Sequence, residues 1–338
     1  MKIVVYDIAA NKGGGGETVL NSYFDRATKE FQNEWWFFVS IEDCKKRESN
    51  NIHVIYVNTK TSSKLKSYII RKLFELFKLK RIIEKIKPDE IISLENRAIS
   101  GVKCKQTVYL HQSLQFSPIK FRFIKQEERA FAFRQKIIGW IIKKQLNKAD
   151  KIIVQTNWMK EAVSQWANYP ENRIEVQTPN IFLPKLDRNI KIEKNIFIYP
   201  ANAYLNKNHR IILDACKILK KQGYKNYKIE FTFSTNSSYL SKKISQEIKE
   251  ENLPIDCIGH LDKTLLFQKY QTMIMIFPSY IETFGLPLLE AKYMGGRIIA
   301  SDLPFSHEIL DSYNNVTFVK WNDAKEWANA ILKYIEHR

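Results

Sequence analysis

Short apolar runs alternate with longer amphipathic stretches along this 338-residue chain, and the alternation lapses once. Such a pattern constrains the fold strongly. It belongs to parallel α/β proteins, whose strands are covered by helices on both faces and joined by helical crossovers. In the first half, strands are predicted at 3–7, 35–40, 52–57, 90–94, 107–110 and 151–155, with helices at 17–31, 64–87, 127–147 and 158–166. From 177 to 193 the pattern fails, and Pro179 and Pro184 among mixed charges read as a hinge. A second series starts at Asn195-Ile196-Phe197-Ile198-Tyr199-Pro200 and continues with a helix at 209–222. Its further strands are at 228–234, 255–258, 273–277, 297–301 and 316–319, and a helix over 323–336 closes the chain. The expected organisation is an N-terminal domain at 1–180, a hinge at 181–194 and a C-terminal domain at 195–338, each large enough for its own core.

A hydrophobic content of 44% excludes a largely disordered chain. Apolar runs such as Ile137-Ile138-Gly139-Trp140-Ile141-Ile142 fall far short of the roughly 20 residues that span a bilayer. Met1-Lys2-Ile3-Val4-Val5-Tyr6-Asp7 reads as a buried first strand, because Asp7 interrupts it before a signal-peptide core forms. Cys44, Cys104, Cys216 and Cys257 are widely spaced, as individually packed, reduced thiols of a cytoplasmic protein would be. Neither a His-Glu-x-x-His motif nor an Asp-x-Asp pair occurs, so no metal is expected.

The net charge of +18 is unevenly placed. Residues 1–180 hold 32 Lys and Arg against 19 Asp and Glu, a net of +13, and residues 181–338 hold 22 against 17, a net of +5. An anionic partner is therefore expected at the first half. Two basic stretches interleave with aromatic residues. Residues 60–87 carry ten Lys and Arg against two acids, with Tyr68, Phe74 and Phe77. Residues 117–148 carry nine against two, with Phe121, Phe123, Phe131, Phe133 and Trp140. Each is either a solvated helix face or a helix that lies on an anionic membrane; their place in one domain favours the membrane. Nucleic acid is not expected, since no helix-turn-helix, RNA-recognition or zinc signature accompanies the charge.

The chemistry concentrates in Phe277-Pro278-Ser279-Tyr280-Ile281-Glu282-Thr283-Phe284-Gly285-Leu286-Pro287-Leu288-Leu289-Glu290-Ala291. An apolar strand runs through a short loop into a helix that Pro287 suits, because the N–H groups of a first turn have no intrahelical partners. The amides around Phe284, Gly285 and Leu286 are left free for a ligand, and the helix dipole favours negative charge there. Glu282 and Glu290 bracket this turn, one in the loop and one on the helix behind it. Amides for phosphate and carboxylates for hydroxyls make a small polar pocket. Lys207, in the loop after the first strand of the second half, could neutralise a departing diphosphate. The alternative, a surface lysine, stays open. Gly13 to Gly16 follow the first strand and permit close approach to a ligand, or simply a flexible turn.

The segment 277–291 resembles the signature of retaining glycosyltransferases of the family-4 type (group 1). The likeness extends back through Gly259-His260-Leu261-Asp262, Leu265 and Tyr270, and forward through Gly295, Ile298-Ile299-Ala300-Ser301-Asp302 and Glu308. It implies the GT-B fold, an α/β architecture of two Rossmann-like domains facing across a cleft, with a final helix packing back on the junction. It further implies a nucleotide-sugar donor, UDP- or GDP-linked, bound by the C-terminal domain as co-substrate, with no other cofactor. The acceptor is a lipid-linked or oligosaccharide glycan held by the N-terminal domain.

Carried over by resemblance, Glu290 holds the ribose hydroxyls and Glu282 the hydroxyls of the donor sugar. Lys207, with Thr283, Phe284, Gly285 and Leu286, surrounds the diphosphate. His111, after the strand at 107–110, faces the donor sugar, although a lone histidine there is otherwise structural. Gly14, Gly15 and Gly16 border the cleft. Asn202 stands where the family usually has Arg, which removes one cation of the usual pair, and Arg297 stands where the family often has Pro. The implied function is retaining, metal-independent glycosyl transfer in bacterial surface-polysaccharide assembly, such as O-antigen or capsule, at the inner face of the plasma membrane. A catalytically inactive GT-B scaffold and a basic nucleic-acid-binding protein are the alternatives.

Overall fold

The structure, a computed structural model, describes residues 1–10, 12, 15–59, 61, 64–179, 184, 192–193 and 195–336. It divides into two compact units, one joining Met1–Gln112 to Lys136–Asn180 and the other joining Ser113–Gln135 to Ile181–Arg338. A boundary at residue 180 assigns 113–135 to the first domain; the structure groups this segment with the second. Tertiary contacts such as the Lys243–Glu127 ion pair (3.1 Å) tie it there, and no local pattern announces them. The expected hinge at 181–194 lies outside the described residues, save Pro184, Ile192 and Glu193.

In the first unit the described strands are β1 (Lys2–Asp7), β2 (Glu34–Val39), β3 (Ile52–Tyr56), β4 (Glu90–Ser93), β5 (Lys105–Tyr109), β6 (Lys151–Val154) and β7 (Ile174–Val176). They form a parallel sheet in the order β3-β2-β1-β4-β5-β6-β7. β1 is apolar on both faces because both are covered. Ile3 and Val5 join Phe24 of α1 (Gly15–Lys29), Trp35 and Phe37, whereas Val4 and Tyr6 join Phe38, Leu79 and Ile83. Phe24 stacks on Phe37 with ring centroids 3.8 Å apart. β7 has no counterpart in the sequence reading; three residues are too few to show a period, yet Ile174 and Val176 pair with Ile152 and Val154.

The helix expected over 64–87 is α2 (Lys64–Leu73) and α3 (Lys80–Ile86) with a π-helical turn, Phe74–Leu79, between them. Likewise, the stretch 127–147 holds α4 (Arg129–Phe133), a π-helical turn (Arg134–Ile138) and α5 (Gly139–Leu146). Such turns depend on tertiary context and leave the 3.6-residue period nearly intact, so the sequence does not reveal them. α6 (Asn157–Ala167) follows β6.

The second unit contains β8 (Ile196–Tyr199), α7 (His209–Lys221), β9 (Lys228–Phe231), α8 (Tyr239–Glu250), β10 (Ile255–Cys257), α9 (Lys263–Thr272) and β11 (Ile274–Phe277). It continues with α10 (Leu286–Tyr293), β12 (Arg297–Ser301), α11 (Pro304–Leu310), β13 (Val316–Val319) and α12 (Ala324–Glu336). The described strands make a second parallel sheet, β10-β9-β8-β11-β12-β13. α12 packs on α7 with Trp327 fully buried. In each sheet the strand order reverses once, between β1 and β4 and between β8 and β11. Crevices beyond the carboxyl ends of strands at such reversals are where open α/β sheets bind ligands.

Candidate active site

At the reversal in the second sheet, β11 is buried along its whole length and ends at Phe277. The chain then turns at Gly285, whose φ of 91° is a left-handed conformation suited to glycine, and enters α10. A Cβ at Gly285 would also stand 3.3 Å from Leu288 Cδ1. Leu286, not Pro287, opens the helix; Pro287 occupies the next position, still within the turn that needs no N–H. Among the described residues, the amides of Phe284, Gly285 and Leu286 have no hydrogen-bond acceptor. Phe284 and Gly285 are buried, while Thr283 and Leu286 are half-buried. Unspent donors at a helix N-terminus are suited to an anion.

Beside them, Lys207 Nζ lies 2.5 Å from Glu282 Oε1, with 20% and 14% of the two side chains exposed. The ammonium is 5.9 Å from the Phe277 ring centroid. The sequence reading gives these two residues separate duties; the structure brings them together across 75 positions of sequence. Each is the other's counter-ion in a shielded place, so removing either leaves a poorly solvated charge.

Glu290, on α10, is buried and accepts a 3.3 Å hydrogen bond from Tyr270 Oη. Burial raises its carboxyl pKa, while the nearby Lys263 charge acts in the opposite direction. Gly296 allows this contact. A Cβ there would stand 2.5 Å from the Tyr270 carbonyl oxygen, so only glycine lets the turn after α10 lie this close to Tyr270 on α9. Sequence reasoning quotes Tyr270 without seeing that it serves Glu290. Asn202 is exposed, and with Pro200, Ala201, Thr232, His260, Leu261 and Leu266 it lines a cavity of about 120 Å³. Leu266 and Tyr270 share α9, one helical turn apart, so the cavity and Glu290 are served by the same helix.

The remaining expected site residues are in the first unit. His111 follows β5; its amide donates to Asn96 Oδ1 at 2.7 Å, and its Nε2 is 3.3 Å from Asn96 Nδ2. Burial pushes its pKa down to about 4, so the imidazole is neutral at physiological pH. Asn96 adopts a left-handed φ of 63° to make both contacts. Gly15 and Gly16 begin α1, two residues earlier than expected, and Gly14 lies outside the described residues.

The sequence reading did not find a charged cluster at the carboxyl ends of β1 and β4. Asp7 accepts the amides of Ala9 and Ala10 at 3.2 and 2.9 Å. Glu95 accepts the Ile8 amide at 3.0 Å and Arg97 Nη2 at 3.2 Å, and Arg97 also bonds Glu75. Burial first, then the Glu95 charge, raise the Asp7 pKa to about 7. Among the described residues, no group of three His, Cys, Asp or Glu side chains could hold a metal ion.

Comparison with known proteins places this geometry. The two units have the GT-B fold: sucrose-phosphate synthase from Thermosynechococcus elongatus superposes with a TM-score of 0.74 at 18% identity, covering 99% of this chain and 90% of that one. An Anabaena Alr3699/HepE structure in complex with UDP-glucose gives 0.67 at 14% identity, covering 99% and 90%. Residues 185–338, which hold the whole Lys207–Glu282–Glu290 arrangement, match the family described as Glycosyl transferases group 1. The capsular polysaccharide biosynthesis glycosyltransferase CapH of Staphylococcus aureus is 30% identical over 161 residues, which are 46% of this chain and 44% of that protein. The chain spans about half the length of the curated relatives it matches.

Proposed function

We propose that this chain is a retaining, metal-independent glycosyltransferase that moves a sugar from a UDP- or GDP-linked donor to a lipid-linked glycan in bacterial surface-polysaccharide assembly. One observation carries the reading: at the strand-order reversal of the second sheet, an anion-ready helix N-terminus lies beside a shielded Lys207–Glu282 pair and the buried Glu290. A nucleoside diphosphate has the matching parts. Its phosphates take the amides of Phe284, Gly285 and Leu286, its ribose hydroxyls take Glu290, and its base takes the cavity lined by Asn202 and His260. When a diphosphate approaches, Lys207 turns its charge to the leaving group, and the freed Glu282 carboxylate accepts hydroxyls of the sugar. With no dedicated nucleophile near the motif, the acceptor hydroxyl attacks from the leaving-group face and the departing phosphate takes its proton. The UDP-glucose complex of the Anabaena protein and the capsule assignment of CapH support the donor and pathway classes.

A thermal-shift screen of UDP, GDP, ADP and CMP tests the donor site, since a ligand that binds only the folded state raises the melting temperature. One preferred nucleotide is expected; no shift with any favours the inactive scaffold. Proton NMR of the product's anomeric signal after EDTA treatment tests the mechanism. A β-linked product from an α-linked donor, or activity that needs added magnesium, contradicts it.

The membrane part of the proposal rests on the first basic stretch. Leu76 and Phe77 in the π-helical turn are 69% and 63% exposed, beside exposed Lys78, Lys80 and Arg81. The second basic stretch is divided, with 117–135 in the second unit and 136–148 in the first, which also holds the first stretch. No helix among the described residues is long and apolar enough to cross a membrane. Each lysine or arginine near an anionic leaflet contributes about 1 kcal/mol. Anionic liposomes should therefore bind at low salt and lose the protein as salt rises, and Lys78→Glu with Arg81→Glu should weaken that binding. Tight binding to duplex DNA with none to liposomes would favour the nucleic-acid alternative.

A further inference from the structure

Three loops meet at the carboxyl end of the second sheet, those following β8, β11 and β13, and one side chain ties them together. Asn208 Nδ2 donates to the Pro278 carbonyl at 3.2 Å and to the Trp321 carbonyl at 2.8 Å. Its neighbours repeat the stitch. The Asn206 carbonyl accepts the Tyr280 amide at 3.0 Å, and Asn206 Nδ2 donates to the Ile281 carbonyl at 3.3 Å. Tyr199 Oη donates to the Lys207 carbonyl at 2.7 Å and lies 3.0 Å from Ser279 Oγ. Lys207 is therefore flanked by two asparagines bonded to the loop that ends in Glu282.

The chemistry explains the residue type. Two carbonyl acceptors need an NH2 group with two hydrogens, which Asn supplies and Asp does not. Asn also tolerates the left-handed φ of 56° found at position 208, the residue just before α7. One residue thus turns the chain into the helix and fastens two other loops.

We propose that Asn208, with Asn206 and Tyr199, is a positioning residue that holds the Lys207 ammonium in register with Glu282 and presents both to the donor's leaving group. Its catalytic half rests on the glycosyltransferase reading above; its geometric half, the alignment of Lys207 on Glu282, does not. Catalytic groups displaced by about 1 Å lose on the order of 100-fold in rate, so a brace of this kind acts on turnover before it acts on binding. Glu290 and the amides of 284–286 lie outside the brace, so affinity for the free nucleotide falls far less than turnover when it is cut.

The test uses Asn208→Gly, which keeps the left-handed backbone and deletes only the two donated hydrogen bonds, and the isosteric Tyr199→Phe. In the full chain without substrate, acetic anhydride labels Lys207 in proportion to how often its ammonium leaves Glu282, and mass spectrometry reads the rate. Labelling of Lys207 should rise several-fold in both variants, more in Asn208→Gly, while the exposed Lys221 labels as in the wild type. In sugar-nucleotide turnover, kcat should fall by on the order of 100-fold in Asn208→Gly, with KM and nucleotide affinity changing far less. Unchanged Lys207 labelling in both folded variants overturns the proposal whatever the activity. Faster labelling with kcat intact overturns its catalytic half. Faster labelling in a protein whose wild type turns over no sugar nucleotide would sink the glycosyltransferase reading and leave the brace standing.

Discussion

The carboxyl ends of the two sheets carry comparable charge and use it in opposite ways. In the first sheet, Asp7 and Glu95 spend their oxygens on the amides of Ile8, Ala9 and Ala10 and on Arg97, and Asn96 engages His111. In the second, among the described residues, the charged ends of Lys207 and Glu282 hydrogen-bond only to each other, and three amides at the start of α10 have no acceptor. Strand order reverses at both places, so topology alone does not single out a nucleotide site. What separates them is unspent hydrogen-bonding capacity. A group already committed to backbone amides must be freed at a cost before it serves a ligand, whereas an unpaired N–H at a helix start gains by binding one.

The comparison can be broken by substitution, and the largest effect is expected at Lys207. On the proposed reading, Lys207→Ala removes the cation that meets the leaving group and strands the Glu282 carboxylate, so kcat/KM for the sugar nucleotide should fall by about 10²–10³. Steady-state kinetics would show it, and near-wild-type turnover would demote Lys207 to a structural lysine.

A different readout is expected at the first edge. The Asp7 pKa is raised from 3.8 to about 7, so the folded state favours its protonated form. That contribution is fully present below about pH 4 and is lost as pH rises to 7, at about 1.4 kcal/mol per pH unit. Asp7→Asn removes the penalty, so urea unfolding should show a gain of a few kcal/mol at pH 8 and none at pH 4. Nucleotide affinity should not change; if it collapses, the two edges are not the separate structural and ligand-facing regions described here.

Glu290→Ala should weaken nucleotide binding by about 1.5–3 kcal/mol through loss of a charged acceptor for the ribose. Because burial raises the Glu290 pKa, wild-type affinity should strengthen as pH climbs through that raised value, and the variant should lack this rise. Calorimetric titrations at several pH values check both. The smallest effect is expected at Gly296→Ala, where forcing a Cβ against the Tyr270 carbonyl should cost about 1–3 kcal/mol of stability. Nucleotide binding should weaken only secondarily, through the displaced Tyr270–Glu290 contact.

Much of this molecule is readable along the sequence. Apart from β7, and from β9, which ends at Phe231 and not at 234, the described strands fall within a residue or two of the apolar runs, because burial on both faces leaves a run that needs no partner to be recognised. The turn at Gly285 and the helix behind it are local as well. What the sequence hides is pairwise. Nothing near Lys207 points to Glu282, 75 residues away, and nothing near Glu290 points to Tyr270. Asn96 seating His111, and the grouping of 113–135 with the second unit, likewise depend on contacts that form only when the sheets assemble. β7 is too short for a period, and the π-helical turns hide within helical spacing. The sequence also reads Glu282 and Lys207 as two independent groups, whereas the fold makes them a single ion pair.

On the proposed reading, nucleotide binds at the N-terminus of α10. Titrating the preferred nucleoside diphosphate into protein carrying 15N-labelled Gly, Phe and Leu tests it directly, because hydrogen bonding to a phosphate moves an amide resonance downfield. The Phe284, Gly285 and Leu286 amides should shift together and saturate at one affinity, with Leu94 and Leu110 at the carboxyl end of the first sheet unmoved. Saturable binding that leaves those three amides in place would contradict it.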